Sequence, residues 1–220
     1  MISIIIRTLN ESEHLKKTLE ILSYQSIDNE VIVVDSNSKD DTAKIAMDYN
    51  ASVIHCIPFT YGRGLNIGVK KAKYNYICSL SAHCYPTTDN FLMKLLNDFD
   101  DDRIAGVYAR QLPVEESNIL DKRNLSIIFR SEKLSQKTDS FFNNAASMFR
   151  KDIWEKIKFR EDVNAWEDII WANSVQNAGY EIVYDPNAIV YHYHNEPIER
   201  TLKRYEKEYD VLKRFYDGEI

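Results

Sequence analysis

Two runs of β-branched residues open the chain, ISIIIRTLNE at residues 2–11 and EVIVVDSNSKDDT at residues 30–42. A nearly continuous β-branched run is typical of a strand that is buried on both faces of a sheet. Each run ends in polar residues, which indicate a turn after the strand. Between the two runs, Leu15, Leu19 and Leu22 recur at spacings of four and three, which predicts a helix. A strand, a helix and a second strand in this order indicate parallel strands joined by a crossover helix.

The same alternation continues along the chain. It predicts further strands at 52–56, 76–80, 104–109, 141–150 and 181–192, and further helices at 39–48, 64–72, 88–99 and 166–178. In the 39–48 helix we expect Ala43, Ala46 and Met47 to face inward. The predicted fold class is α/β, with a mostly parallel central sheet covered by helices on both faces.

The chain has 220 residues, and 44% of them are hydrophobic, enough for one compact domain with a full core. We expect a catalytic domain over 1–195, divided into a nucleotide-binding half at 1–110 and an acceptor and catalytic half at 111–195. Residues 196–220 are expected to form an amphipathic tail helix with Ile198, Leu202, Tyr205, Tyr209, Leu212 and Phe215 on one apolar stripe. That stripe would pack on the catalytic domain by default, with a homodimer contact or a membrane surface as alternatives.

Charge and cysteine content narrow the partners and the compartment. The formal net charge is −6, which disfavours nucleic acid as a partner because phosphate binding needs a basic face. Three cysteines without a C-x-x-C pair argue against a disulfide framework, and the short apolar opening lacks the basic leader of a secretory signal. We therefore expect a cytoplasmic protein, with contact at the inner membrane face as an additional hypothesis.

Polar residues follow the predicted strands where ligands bind in α/β sheets, at the carboxyl ends. Asp35 ends the second strand, and its carboxylate could accept hydrogen bonds from a base imide or a ribose hydroxyl. Its alternative role is a helix-proximal cap, although Ser38 suits that role better. Residues 59–68, FTYGRGLNIG, place Arg63 and small residues at a helix start, which suits a diphosphate. A plain glycine-containing loop is the alternative, and the G-x-G-x-x-x-G spacing does not fit a dinucleotide fingerprint.

These motifs together resemble the family 2 glycosyltransferases, which are inverting enzymes of the GT-A fold, and most closely their bacterial rhamnosyltransferase-like, polysaccharide-building branch. The resemblance rests on RTLNE at 7–11, VVDSNS at 33–38, residues 61–66 and the WED at 166–168. It implies a nucleotide-diphosphate sugar donor, UDP- or dTDP-linked, and a saccharide acceptor that includes lipid-linked saccharides. The donor contacts that it implies are Thr8, Glu11, Asp35, Arg63, Asn66, Ser81 and His83.

The same resemblance implies the catalytic and acceptor residues. Asp168 would be the base that takes the proton of the attacking hydroxyl, and Glu167 would be its neighbour on the acceptor side. Trp166 would stack on a sugar ring, and Asn143 and Asn144 would contact sugar hydroxyls. An ordinary pair of acidic residues at a helix start is the alternative for Glu167 and Asp168.

The metal site departs from the family pattern. The family carries two carboxylates as D-x-D after the fourth strand to hold Mn²⁺ or Mg²⁺, but this chain has Ser81-Ala82-His83 there. His192 and His194 stand two apart in a predicted strand and would point to the same side. We predict that His83, His192 and His194 form an imidazole-rich site, with packing against neighbouring tyrosines as the alternative; whether a divalent cation is required is left open.

The sequence thus favours an inverting glycosyltransferase. A non-catalytic nucleotide-sugar-binding module is the second hypothesis, because the D-x-D carboxylates are missing. A sugar-nucleotide pyrophosphorylase ranks last, since residues 7–11 lack the glycine-rich loop that such an enzyme needs after its first strand.

Overall fold

The structure is a computed structural model that describes all 220 residues. Strands and helices alternate through most of the chain. The strands are β1 (Ile2–Thr8), β2 (Asn29–Asp35), β3 (Ser52–His55), β4 (Tyr76–Ser81), β5 (Cys84–Pro86), β6 (Ile104–Pro113), β7 (Leu134–Gln136), β8 (Ala146–Arg150) and β9 (Glu181–His192). The helices are α1 (Ser12–Ser23), α2 (Thr42–Asp48), α3 (Tyr61–Lys71), α4 (Phe91–Asn97), α5 (Ile119–Ile128), α6 (Lys151–Lys156), α7 (Glu167–Asn177) and α8 (Ile198–Tyr216).

All strands join one sheet in the order β3-β2-β1-β4-β8-β6-β9-β5, with β7 paired to β9. The α/β fold is confirmed, and the pairs among β3, β2, β1 and β4 are parallel as predicted. β8, however, runs antiparallel to β4 and to β6, and β5 and β7 run antiparallel to β9, so the second half of the sheet is mixed. A hydrophobic run predicts that a strand exists but does not predict its direction. β8 follows β7 through a loop, without the crossover helix that a parallel connection requires.

The first strand divides the core into two layers. Ile4 and Ile6 belong to the hydrophobic cluster that also includes Leu15 of α1, whereas Ile5 belongs to the cluster on the opposite face, with Leu65 of α3. Successive side chains of a strand point to opposite faces, so an uninterrupted isoleucine run requires helices on both sides. The predicted burial of Leu15, Leu19 and Leu22 is confirmed.

Helix α2 differs from the prediction in its start and in its inner face. It begins at Thr42 rather than at residue 39, because the Asp40 carboxylate accepts hydrogen bonds from the Thr42 backbone N–H and hydroxyl. Ala46 is buried as predicted, but Met47 is 59% exposed, and Ile45 packs against the core instead. The inner face of α2 is therefore formed by Thr42, Ile45 and Ala46.

Two glycines of α3 allow close packing. A Cβ at Gly68 would lie 2.7 Å from the Cγ2 of Ile5, and a Cβ at Gly62 would lie 1.9 Å from the backbone oxygen of Arg160. The helix therefore rests directly on β1 on one side and on the segment before α7 on the other. This packing explains the glycine pattern of residues 61–68 without a phosphate.

Asn66 ties α3 to the segment that leads to α7. The side chain is 2% exposed, and its amide donates hydrogen bonds to the backbone oxygen of Phe159 at 2.9 Å and to Oε1 of Glu161 at 2.8 Å. Its carbonyl oxygen accepts a hydrogen bond from the indole N–H of Trp154 at 2.8 Å. Because these contacts use both amide N–H groups and the carbonyl oxygen of a buried side chain, they do not support the expected nucleotide contact of Asn66.

The tail forms α8 over the predicted residues, but with a different inner face. Thr201 and Val211 are buried, whereas Leu202 is 48% exposed, and Ile198 and Tyr209 are also exposed. The predicted stripe is therefore wrong for these three residues. None of the helices combines the length and the apolar character needed to cross a bilayer.

Polar contacts set the rotation of α8. Arg204 donates hydrogen bonds to Asp121 of α5 at 2.7 Å and to Glu196 at 3.0 Å, and the Thr201 hydroxyl donates to Glu196 at 3.2 Å. These contacts turn the Arg204 face inward in place of the apolar stripe. The tail thus packs on the rest of the chain, as expected by default.

We predict that Asn66→Ala lowers the free energy of unfolding by about 2–4 kcal/mol, because each buried polar group left without a partner costs about 1–3 kcal/mol. Urea unfolding followed by circular dichroism measures the change. Asn97→Ala is the matched control, since Asn97 is exposed at the end of α4 and its side chain makes no hydrogen bond. Equal stability of Asn66→Ala and the parent would contradict this role for Asn66.

Candidate active site

The carboxyl ends of the parallel strands bring the predicted donor residues together. Thr8 ends β1 opposite Asp35 of β2, and Arg7 pairs with Ser81, the last residue of β4. Thr8 and Asp35 are buried, and Ser81 is partly exposed. The structure therefore places these polar residues side by side on one edge of the sheet, where ligands of α/β folds bind.

Asp35 is held in a fixed orientation. Its carboxylate is 1% exposed and accepts hydrogen bonds from the Ser38 hydroxyl and from the Ser38 backbone N–H, the latter at 3.1 Å. The Nδ1 atom of His55, the last residue of β3, lies 3.2 Å from Asp35 Oδ2. His55 belongs to no motif of the sequence, and only its place at the end of the strand next to β2 indicates that it lies near Asp35.

Glu11 lies between Thr8 and His83. Its Oε2 accepts a hydrogen bond from the Thr8 hydroxyl at 3.2 Å, and its Oε1 lies 2.5 Å from Nδ1 of His83. Burial raises the pKa of Glu11, but its hydrogen bonds with His83, the Leu9 backbone N–H and Thr8 outweigh this effect, so the pKa lies below its usual value. Glu11 is therefore a carboxylate that fixes the His83 ring, and its expected contact with a nucleoside stays a prediction.

His83, His192 and His194 meet at one point, as the sequence predicted. One ring nitrogen of each lies within 4.8 Å of the others, and the Nε2 atoms of His192 and His194 are 2.7 Å apart. The Nδ1 atom of His192 lies 2.7 Å from Oε1 of Gln111. Burial holds the pKa of His192 and of His194 below the usual value, so both rings are neutral at neutral pH.

This donor set fits a divalent cation. Neutral imidazoles are metal ligands, and metal-binding histidines almost always give their other ring N–H to a carboxylate or carbonyl oxygen, as His83 does to Glu11 and His192 to Gln111. A neighbouring acidic group does not fit: Asp121 and Glu196 lie close to His194, but Arg204 is paired with both carboxylates. The histidine trio is thus the candidate metal centre.

The N-terminus of α3 presents Arg63. Thr60 caps the helix by accepting a hydrogen bond from the Arg63 backbone N–H at 3.2 Å, so α3 begins three residues earlier than predicted. The Arg63 guanidinium has no carboxylate within ion-pair distance. Its charge is therefore available for an anionic ligand.

Arg7 at the end of β1 contacts α3, α7 and the loop before β8. Its guanidinium donates to Glu167 Oε1 at 2.9 Å, to the backbone oxygen of Tyr61 at 3.3 Å and to that of Asn144 at 3.4 Å. The side chains of Arg7 and Glu167 are only 10% and 6% exposed. The sequence placed Arg7 in a motif without a role, because its partner lies 160 residues away.

Asp168 follows directly on this ion pair. It is partly exposed, and its Oδ2 accepts a hydrogen bond from the Asn144 backbone N–H at 3.1 Å. Burial and the negative charge of Glu167 raise the pKa of Asp168 to about 7. A carboxyl group with this pKa can accept a proton from a hydroxyl group at neutral pH.

The residue before the acid pair has an unusual backbone. Trp166 adopts φ 63° and ψ 14°, the left-handed region that bulky residues rarely occupy. This turn starts α7 so that Glu167 and Asp168 lie in its first turn, where the helix dipole favours negative charge. Such strained residues occur often at functional sites, which fits the predicted place of Trp166 beside the acceptor.

The two predicted acceptor amides lie next to Asp168 but have different surroundings. Asn143 is partly exposed, and its Oδ1 accepts a hydrogen bond from the Ala145 backbone N–H at 2.9 Å. Asn144 is buried, and its Oδ1 accepts one from the Ser147 hydroxyl at 3.1 Å. The Asn144 side chain therefore links the loop before β8 to β8 itself. Of the two amides, only that of Asn143 is exposed enough for contact with an acceptor.

The chain is similar in sequence and in fold to known proteins. Residues 3–158 match the family described as Glycosyl transferase family 2. The chain is similar to the O-antigen chain rhamnosyltransferase RfbN of Salmonella typhimurium, with 31% identity over 93% of this chain and 70% of that protein. It is 28% identical to the O-antigen chain rhamnosyltransferase WbaN of Salmonella anatum, over 80% of this chain and 60% of that protein.

A solved structure shares the fold. The mannosyltransferase PcManGT of Pyrobaculum calidifontis, in complex with GDP-Man and Mn²⁺, superposes with a TM-score of 0.71 at 18% identity, over 86% of this chain and 56% of that one. The expected GT-A fold is confirmed by this similarity. With a family match over most of its length and a relative 31% identical, the chain belongs to glycosyl transferase family 2.

Proposed function

We propose that this chain transfers a sugar from a nucleotide diphosphate to a hydroxyl group of a saccharide, with inversion at the anomeric carbon. The observation that carries the proposal is Asp168, a partly exposed carboxyl group with a pKa raised to about 7. It accepts a hydrogen bond from Asn144, in the loop that is itself hydrogen-bonded to Ser81 at the end of β4. The family match ends at residue 158, so the role of Asp168 rests on this geometry.

The donor would lie over the ends of β1, β2 and β4. A UDP- or dTDP-linked sugar fits, because the imide N–H of uracil or thymine can donate to the fixed Asp35 carboxylate. Thr8 and Ser81 border the same edge of the sheet. The unpaired guanidinium of Arg63 would meet the diphosphate.

A divalent cation would be held by His83, His192 and His194, and it would supply positive charge to the departing diphosphate. The family has its paired carboxylates directly after the fourth strand, where this chain has His83. The convergence of three imidazoles is what supports a metal here. His83 also stands directly after the end of β4, beside the donor edge of the sheet.

Asp168 would accept the proton of the acceptor hydroxyl as its oxygen attacks the anomeric carbon. The bond between that carbon and the diphosphate oxygen breaks on the opposite face, and its electron pair leaves with the nucleotide diphosphate. One base suffices for such a displacement, and a pKa near the working pH suits general base catalysis. The nucleotide leaves as the negatively charged species that Arg63 and the cation would stabilise.

Glu167 and Asp168 would have different roles although they are neighbours. Glu167 is ion-paired with Arg7, whereas the surroundings of Asp168 raise its pKa to about 7. Neighbouring carboxyl groups in different surroundings can take different roles in catalysis. Glu167 would thus act through its charge on the pKa of Asp168, while Trp166 and Asn143 would face the acceptor.

The acceptor is proposed to be a growing surface polysaccharide, in keeping with the O-antigen relatives. A lipid-linked saccharide would bring the chain to the inner membrane face, and the exposed Ile198, Leu202 and Tyr209 of α8 are compatible with such contact. A homodimer through the same side chains is the other proposal for this surface.

A non-catalytic module that only binds nucleotide sugars is the second candidate. The observation that favours it is Ser81-Ala82-His83 in place of the family's paired carboxylates. Turnover separates the two candidates.

We predict that Asp168→Asn lowers the rate of sugar transfer by about 10²–10⁴-fold, the usual contribution of a general base. Binding of UDP or dTDP, measured by calorimetry, should stay the same, because the amide keeps the shape of the side chain. Transfer is measured with UDP- and dTDP-sugars and a lipid-linked saccharide. Asp89→Asn, at an exposed position, is the matched control.

Two results would contradict the proposal. If Asp168→Asn works as fast as the parent, another group takes the proton. If the parent binds nucleotide but neither transfers nor hydrolyses any donor of the panel, the chain is a binding module.

The pH profile gives a second prediction. Asp168 must be deprotonated to act, so kcat/KM should fall about tenfold per pH unit below about pH 7. Glu167→Gln removes a negative neighbour that raises the pKa of Asp168, so the acidic limb should move to lower pH in that variant. A limb that stays in place, or moves to higher pH, would show that Asp168 does not govern the profile.

A further inference from the structure

The three-histidine cluster has supporting contacts that specify which nitrogens are available. Oε1 of Glu11 lies 2.5 Å from Nδ1 of His83, and Oε1 of Gln111 lies 2.7 Å from Nδ1 of His192. A carboxylate or amide oxygen can only accept a hydrogen bond, so each Nδ1 carries the proton. The Nε2 atoms of His83 and His192 are therefore left with lone pairs.

His194, two residues after His192, completes the cluster. Its Nε2 lies 2.7 Å from Nε2 of His192, and its Nδ1 lies 4.0 Å from a carboxylate oxygen of Glu196. Without a cation, the His192 and His194 nitrogens share one proton in a hydrogen bond, and Nε2 of His83 has no hydrogen-bond partner. A cation would use all three lone pairs, with the His194 proton on Nδ1 facing Glu196.

We propose that His83, His192 and His194 form a nitrogen-donor site that selects a first-row transition-metal ion over Mg²⁺, and that Glu11 and Gln111 are positioning residues that fix the ligand tautomers. The inference rests on the proposed function in placing this ion beside the donor diphosphate. Imidazole nitrogens suit zinc, cobalt, nickel and related ions, whereas Mg²⁺ prefers oxygen ligands. All three ligands are supplied by the chain, so the site binds its ion without the nucleotide.

Burial supports the positioning roles. Gln111 is 1% exposed, its Nε2 has no hydrogen-bond partner, and its only side-chain contact of this kind is the one with His192. A buried amide held with an unpaired donor is costly, which indicates that its oxygen is needed at His192. Glu11 orients the first ligand in the same way from the N-terminal end of α1.

The test uses the full chain, stripped of metal and titrated with Co²⁺ in the absence of nucleotide. We expect one Co²⁺ per chain with a visible absorption band from nitrogen ligands, displaced by Zn²⁺ but not by millimolar Mg²⁺. His83→Ala should lose the band. Glu11→Leu and Gln111→Leu should weaken Co²⁺ binding by about 10–100-fold, the usual effect of removing a supporting contact, and Glu11→Gln, which keeps an acceptor oxygen, should recover most of it.

Controls separate binding from folding. His14→Gln removes a histidine whose ring centre lies 6.4 Å from that of His83 and should leave Co²⁺ affinity unchanged. The thermal unfolding of each metal-free variant is compared with that of the metal-free parent, and His83→Ala decides the ligand test because His83 is partly exposed. Since no donor or acceptor is present, the result does not depend on whether Asp168 catalyses transfer.

The proposal is overturned if His83→Ala binds Co²⁺ with the affinity and spectrum of the parent, or if Mg²⁺ displaces Co²⁺ as readily as Zn²⁺ does. The positioning roles are overturned if Glu11→Leu and Gln111→Leu bind Co²⁺ as tightly as the parent.

Discussion

The buried ion pair between Arg7 and Glu167 is the contact on which the catalytic side of the site depends. It joins the end of the first strand to the first turn of α7, and the same guanidinium also binds backbone oxygens at Tyr61 and Asn144. Two charges removed from water are stable only when they are paired and hydrogen-bonded, and removal of one partner from such a pair typically costs about 3–5 kcal/mol. The position of α7, and with it that of Asp168, is therefore tied to β1.

The same pair determines the chemistry of its neighbour. Burial and the negative charge of Glu167 both raise the pKa of Asp168, and the ion pair with Arg7 holds Glu167 beside it. The folded chain thus binds a proton at Asp168 more tightly than the unfolded chain does. The contribution of Asp168 to the free energy of unfolding is fully present below the ordinary aspartate pKa and is lost as the pH rises through about 7. The deprotonated form that acts as the base is therefore the form in which the fold is less stable.

Local patterns in the sequence were sufficient for the first half of the fold and for the place of the site. The isoleucine run of β1 and the leucine spacing of α1 specify burial directly, and the polar residues after β1, β2 and β4 must meet because parallel strands end at one edge. Strand direction in the second half could not be predicted, since β8 shows the same hydrophobic pattern in either direction. The apolar stripe predicted for the inner face of α8 was wrong at three positions because Arg204, rather than an apolar residue, sets the rotation of this helix.

Side-chain contacts between residues far apart in the chain could not be predicted from the sequence either. Asn66 resembled a ligand contact in its motif, but Trp154 and Phe159 use its amide. His83 was predicted from the place of the family's D-x-D motif, and His192 and His194 from their spacing in a strand. The role of Gln111 at His192 follows only from their contact. A carbon-13 NMR titration of the Asp168 carboxyl group, assigned by its loss in Asp168→Asn, measures whether this group is a base with a raised pKa. We expect a midpoint close to pH 7, and a midpoint near the ordinary aspartate value of about 4 would rule out this role.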